Sequence, residues 1–177
     1  MGAPVGFTLL TGGARSGKSA TAARLATATG QPVTVVATAT AEDREMEERI
    51  ARHRRARLST WTTVEEPLDL DQAIIAVDLD HTLVIDCLGL WVTNQISVDD
   101  GVILTRADGT ARLLEQRCGA TIVVTNEVGS GIVPVNAMAR RFRDLLGSVN
   151  QRFARSADRT LLCVTGGVVP VIGLEDL

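Results

Sequence analysis

The 177-residue chain is poor in aromatic rings: it has no tyrosine, and only Phe7, Trp61, Trp91, Phe142 and Phe153. A platform for single-stranded nucleic acid stacks successive bases on clustered rings, so that class is excluded. Neither sign of charge is in excess, with 18 Lys+Arg against 21 Asp+Glu and a net charge of −3. No global positive field is available to hold a phosphate backbone. Cysteine is scarce: Cys87, Cys118 and Cys163 are scattered, odd in number and without metal-ligand spacing. They read as thiols of a reducing compartment rather than a disulfide framework. Long hydrophobic runs are missing too. The longest uncharged stretch near the end, Thr160 to Leu174, is too short and too broken by Gly and Pro to span a bilayer. Residues 1–14 lack a basic start and carry a glycine-rich loop where a leader would be cleaved. The expectation is a soluble, cytoplasmic protein with one domain over residues 1–177.

Short β-branched runs recur at intervals: Phe7–Thr11, Val33–Thr38, Thr82–Ile85, Thr121–Thr125 and Thr160–Val164. Each is continuously apolar rather than alternating, as befits strands buried on both faces of a parallel sheet. Helical stretches separate them at Lys18–Thr29, Ala41–Arg57, Thr110–Gln116 and Ala137–Ala157. The alternation predicts a doubly wound α/β sheet flanked by helices, with ligands outside the carboxyl ends of the strands.

The loop after the first run reads Gly12-Gly13-Ala14-Arg15-Ser16-Gly17-Lys18-Ser19. It matches the phosphate-binding pattern of Gly, four residues, then Gly-Lys-Ser/Thr, between a strand and a helix. Glycines let consecutive backbone N–H groups turn inward on phosphate oxygens, assisted by the helix amino terminus. Lys18 would bridge the β- and γ-phosphates and the Ser19 hydroxyl would sit on Mg²⁺. A nucleoside triphosphate, ATP or GTP, is therefore the expected ligand. The strand Thr82–Ile85 delivers Asp86 to the same sheet edge, a candidate for the metal. Glu127, at the end of the next core strand, is either a second acid at that edge, or a solvated loop residue or partner for Arg140 or Arg143.

Residues 40–57 are acidic in the first half and basic in the second, in accord with a helix dipole, and Thr40 with Asp43 resembles a capping box. Glu45, Arg49, His53 and Arg57 are spaced by four and would stack on one face, while Met46 and Ile50 give only a thin apolar stripe. Composition alone allows a surface helix laced by ion pairs. The alternative is a nucleotide site. Arginines around one histidine disfavour its protonation, leaving a neutral, nucleophilic imidazole at pH 7, and their guanidinium groups would bind a polyphosphate. His81, before a strand among acids, reads as a surface residue.

The ordered set of motifs resembles one family. The phosphate loop is followed by Glu48-Arg49-Ile50, His53-Arg54, and Trp61 ahead of Val64-Glu65-Glu66. Further on come Asp86-Cys87-Leu88, Trp91 to Asn94, Thr125 to Gly129, Gly131 to Pro134, Ala139 to Asp144 and Asn150-Gln151. Together they resemble the bifunctional adenosylcobinamide kinase / adenosylcobinamide-phosphate guanylyltransferases of cobalamin biosynthesis. The resemblance implies a RecA-like parallel sheet with one antiparallel addition, and a homo-oligomer. It implies two reactions: phosphorylation of adenosylcobinamide by ATP or GTP, then GMP transfer from GTP through a guanylyl-histidine to give adenosylcobinamide-GDP. By similarity Gly12 to Ser19 hold the triphosphate and His53 is the nucleophile. Ala37, Thr38 and Ala39, Arg54, Arg55, Ala56 and Arg57, and Glu65 lie at the nucleotide, and Asp86 serves the metal or nucleotide. Some features depart from the family pattern: Arg52 precedes a single histidine, Val135 stands where an acid is expected, and Asp99–Gly109 looks less helical than its counterpart. A plain P-loop kinase of a small metabolite, with His53 merely structural, is the competing reading.

Overall fold

The five apolar runs all become strands. The computed structural model describes residues 6–41, 44–55 and 57–173, with Glu45, Arg49 and His53 described by backbone alone. In chain order the elements are β1 (Phe7–Gly12), α1 (Lys18–Ala28), β2 (Val33–Ala37), α2 (Arg44–Arg55), β3 (Thr62–Glu65), α3 (Leu70–Ile75) and β4 (Thr82–Asp86). They continue with α4 (Leu88–Asn94), α5 (Asp100–Glu115), β5 (Thr121–Val124), α6 (Ala137–Ser156), β6 (Arg159–Val164) and β7 (Gly167–Val171). One seven-stranded sheet results, in the order β3-β2-β4-β5-β1-β6-β7. Every pairing is parallel except β6 with β7.

Two strands were not expected from the apolar runs. β3 is exposed along its length and β7 nearly so, both at sheet edges, where burial no longer enforces a hydrophobic run. Pro170 sits in β7, a position an edge strand tolerates. Among the helices, α2 is shorter than expected and Arg57 lies beyond its end. The expectation for Asp99–Gly109 is corrected: it is helical, as the first part of α5. The Asp99 carboxylate caps α5 by accepting from Gly101 N. Tertiary partners then outweigh the cost of Gly101 and Asp108-Gly109 within the helix: Arg106 donates to Gln95 Oε1 (2.6 Å) and Arg152 pairs with Asp108 (3.1 Å).

The two faces of the sheet are covered unequally. One packs against α3, α4, α5 and α6 through Leu70, Trp91, Ile103, Leu114, Leu146 and Phe153, among others, all buried. The other face buries Leu10, Val35, Val84, Ile122 and Val124 mainly against Ala22, Leu25 and Ala26 of α1. Among the described side chains of α2, Met46 and Ile50, both partly exposed, line the space on this side. Open space therefore remains on the α1–α2 side, at the carboxyl edge of the strands.

Candidate functional site

The phosphate loop is built around backbone that only glycine permits at two points. Gly12 has φ 149°, and a Cβ there would lie 2.4 Å from the Cys163 carbonyl oxygen of neighbouring β6. Gly17, at φ 102°, precedes α1, and a Cβ on it would press the Gly166 Cα. The loop is tied down on both sides: Gly166 N donates to Ser16 O (2.9 Å) and Glu127 N to Gly12 O (3.0 Å). Lys18 is buried, and its ammonium donates to the Gly12 and Gly13 carbonyls, each at 2.7 Å. Those bonds curl the side chain back over the loop. Ser16 Oγ is buried without a hydrogen-bond partner, a polar atom left in the fold of an anion cradle.

Register aligns the acidic residues. Glu65 pairs with Ala37, Ala37 with Asp86, and Asp86 with Val124, so one row runs from β3 through β2 and β4 to β5. In-register neighbours share a face. Here that face is the one with open space. Glu65, Ala37 and Asp86 line a narrow cleft with Ala39, Met46, Ile50, Arg54, Arg57, Cys87 and Leu90. A second cleft, about 270 Å³, lies beside α1 and is lined by Ser19, Ala20, Ala23, Val84, Trp61 and again Arg57 and Asp86. Arg57 pairs with Asp86 at 3.4 Å and donates to Thr63 Oγ1 at 3.2 Å; Arg54 pairs with Glu65. One α2-side cleft and one α1-side cleft thus meet at a single ion pair. Thr38 seals the strand end behind them, its hydroxyl donating to Cys87 O (2.7 Å) and accepting from Cys87 N (2.9 Å).

The family model described as cobinamide kinase / cobinamide phosphate guanyltransferase matches residues 8–171. This chain belongs to that family. It is 42% identical over 170 residues to the bifunctional adenosylcobalamin biosynthesis protein CobP of Pseudomonas aeruginosa, covering 93% of this chain and 96% of that one. It is 42% identical to the CobU protein of Salmonella typhimurium, described in the same words, over 89% of this chain and 95% of that one. Among solved structures, a Pyrococcus horikoshii protein superposes with a TM-score of 0.61 at 10% identity, covering 98% of this chain and 90% of that one. The RadB recombinase does so at 0.52 and 16%, covering 91% and 76%. At those identities the two structures speak for the RecA-like fold alone.

Within this family member the expected site residues separate into groups. Gly12 to Ser19 form the loop, with Ala14 and Arg15 exposed on its outer turn. Ala37, Ala39, Arg54, Arg57, Glu65 and Asp86 come together in one cleft. Arg55 is exposed outside that lining, and Thr38 is spent on the Cys87 backbone. Ala56, like Glu42 and Asp43, lies outside the described residues, and so does the His53 side chain. Glu127 joins neither Arg140 nor Arg143: its carboxylate accepts from Gly129 N (2.6 Å), Arg140 donates to the Pro134 and Val135 carbonyls, and Arg143 pairs with Asp144. His81 is half-buried rather than a free surface residue, its Nδ1 2.9 Å from Thr34 Oγ1.

Sequence reasoning gave no role to Met46, Ile50, Cys87 and Leu90, the apolar part of the lining. It also assigned none to two buttresses. Asn94 donates to the Thr38 and Pro67 carbonyls, and Asn150 joins Thr125 Oγ1 (2.6 Å) to Asn126 O (3.0 Å). Only their place in the family motifs hinted at either asparagine. Among the described residues Cys87, Cys118 and Cys163 form no disulfide, and no helix is long and apolar enough to cross a membrane.

Proposed function

We propose that this protein phosphorylates adenosylcobinamide with ATP or GTP and then guanylylates the product, forming adenosylcobinamide-GDP. In the first reaction the corrinoid hydroxyl oxygen bonds to the γ-phosphorus, the β–γ bridging bond breaks, and the hydroxyl proton leaves to solvent. In the second, a His53 nitrogen bonds to the α-phosphorus of GTP and pyrophosphate departs. The corrinoid phosphate oxygen then attacks the phosphoramidate phosphorus, and the P–N bond breaks to free His53. The observation that carries this reading is the pairing of a phosphate loop with the α2-side cleft, lined by Arg54, Arg57, Glu65 and Asp86, beside the helix that bears His53.

Each group has a task. The loop amides and Lys18 bind β- and γ-phosphate oxygens and hold developing charge. Arg54 and Arg57 supply forked, permanent cations for the phosphates of a second nucleotide pose, and Glu65 is an acceptor for guanine N–H groups. Mg²⁺ accompanies the nucleotide. The Ser19 hydroxyl and Asp86 carboxylate, both hard oxygen donors facing the α1-side cleft, fit that ion and would hold it. When bound, the ion neutralises phosphate charge and orients the tail. One triphosphate cannot offer its γ-phosphorus to the corrinoid and its α-phosphorus to His53 in one pose. Either α2 moves or GTP binds in two modes. The same reading carries a cytoplasmic location and a homo-oligomeric assembly.

The test is product analysis: adenosylcobinamide with ATP alone should give the phosphate, and with GTP the GDP derivative. Phosphate without the GDP derivative under GTP would reduce the protein to a kinase.

A further inference from the structure

The segment from Val128 to Ala139, which joins β5 to α6, has no charged side chain in a chain of which 22% is charged. Its apolar residues are not tucked in: Ile132 and Val135 are each 97% exposed, Met138 64% and Val133 58%. Single exposed hydrophobics are ordinary, but a run of them on one short segment marks a contact surface. Nor is the segment slack. The Glu127 carboxylate holds Gly129 N, Arg140 holds the Pro134 (2.9 Å) and Val135 (2.6 Å) carbonyls, and Asn136 Oδ1 accepts from Met138 N and Ala139 N. Backbone bonds satisfied in this way present the apolar side chains outward.

Its position is an independent observation. β5 lies between β4, which delivers Asp86, and β1, which delivers the phosphate loop. The segment therefore starts between the strands that deliver Asp86 and the phosphate loop, and its root is fastened to that loop by Glu127 N donating to Gly12 O at 3.0 Å. A triphosphate has no use for a surface without cations. The acceptor in the kinase reaction does: a corrin is a broad, largely apolar disc fringed with carboxamides.

We propose that residues 128–138 are the platform for the corrin face of adenosylcobinamide, with Ile132 and Val135 beneath the macrocycle and the hydroxyl arm directed at the γ-phosphate near Lys18. This rests on the function proposed above. The competing occupant of the same surface is a second copy of this chain.

The experiment compares wild type with Ile132→Asp, Val135→Asp and the double variant. Adenosylcobinamide binding is read by equilibrium dialysis through the corrin's visible absorbance, GTP binding by calorimetry, and solution mass by light scattering. Corrinoid affinity should fall by about tenfold or more, with GTP affinity within about twofold and mass unchanged. Unchanged corrinoid affinity in the variants overturns the platform, as does a loss accompanied by a change in mass, which would make the surface a contact between copies. Failure of wild type to bind adenosylcobinamide removes the functional reading itself, a result distinct from either. Should an aspartate variant melt early, Ile132→Asn and Val135→Asn carry the same comparison.

Discussion

The Arg57 guanidinium lies 3.4 Å from the Asp86 carboxylate, at the point shared by the α1-side and α2-side clefts. Both side chains are largely buried, so the pair is poorly screened by solvent and each partner shapes the other's ligands. If Asp86 serves a divalent ion, Arg57 competes with that ion for the same carboxylate, and releases it when phosphates arrive to take the guanidinium. Arg57→Ala should weaken GTP binding by about tenfold or more, the worth of one charge-assisted hydrogen bond. The same variant should bind Mn²⁺ alone more tightly, as read by electron paramagnetic resonance. Parallel weakening of both ligands would show that Arg57 merely supports the local fold.

Lys18 donates to the Gly12 and Gly13 carbonyls and must turn toward phosphate when nucleotide binds. Lys18→Met keeps the stem and removes the charge. Steady-state γ-phosphoryl transfer should drop by about a thousandfold, on the scale of other transition-state charge stabilisers, with little change in melting temperature. A loss of tenfold or less would move the phosphate contact elsewhere.

Gly12 is required by φ 149° and by the Cys163 carbonyl that a Cβ would strike. Gly12→Ala should cost about 3 kcal/mol, lowering the melting temperature by roughly 6–12 °C for a domain of this size. Gly131→Ala, where a Cβ meets nothing within 4 Å, is the matched control. Equal melting of the two variants contradicts this geometry.

Burial pushes the Cys163 thiol above the ordinary range, against the opposing pull of a hydrogen bond from Thr21 and the nearby Lys18 charge. A group whose folded pKa is raised lends stability that is complete below the unfolded value and lost as pH rises through the folded one. Stability should therefore decline on the alkaline side of ordinary thiol titration, and Cys163→Ala should flatten that decline. Thiol labelling at neutral pH should reach exposed Cys118 first, with Cys87 and Cys163 reacting only on unfolding. Rapid labelling of all three would refute the buried placement.

Among the described residues no α2 side chain is fully buried, so local opening of the helix should be cheap. Its amides should exchange quickly in the free protein and slow on GTP binding. Ligand-free and GTP-bound structures with α2 unmoved and a single nucleotide pose would remove the need for helix motion.

The central strands were legible because burial on both faces leaves a continuous β-branched run, as in Thr121–Val124. The phosphate loop was legible because its chemistry fixes residue types at fixed spacing. β3 and β7 were hidden by exposure at the edges, where Thr-Thr-Val-Glu and a proline-bearing strand carry no strong pattern. α4, Leu-Gly-Leu-Trp-Val-Thr-Asn, is too short and too apolar for its period to differ from a buried strand's. Glycines within α5 masked a helix that its neighbours hold in place. The site was legible as a set of residues but not as an arrangement, because the row Glu65–Ala37–Asp86 depends on register between three strands.

In the proposed guanylyl transfer His53 carries GMP, and intact mass reports that adduct. The protein is incubated with GTP and Mg²⁺ beside His53→Ala and kept at neutral or basic pH, since a phosphoramidate is acid-labile. A gain of one GMP in the wild type, absent from His53→Ala, is the expected result. No gain while GTP remains bound would contradict it, leaving His53 a helix-surface residue and the protein a kinase.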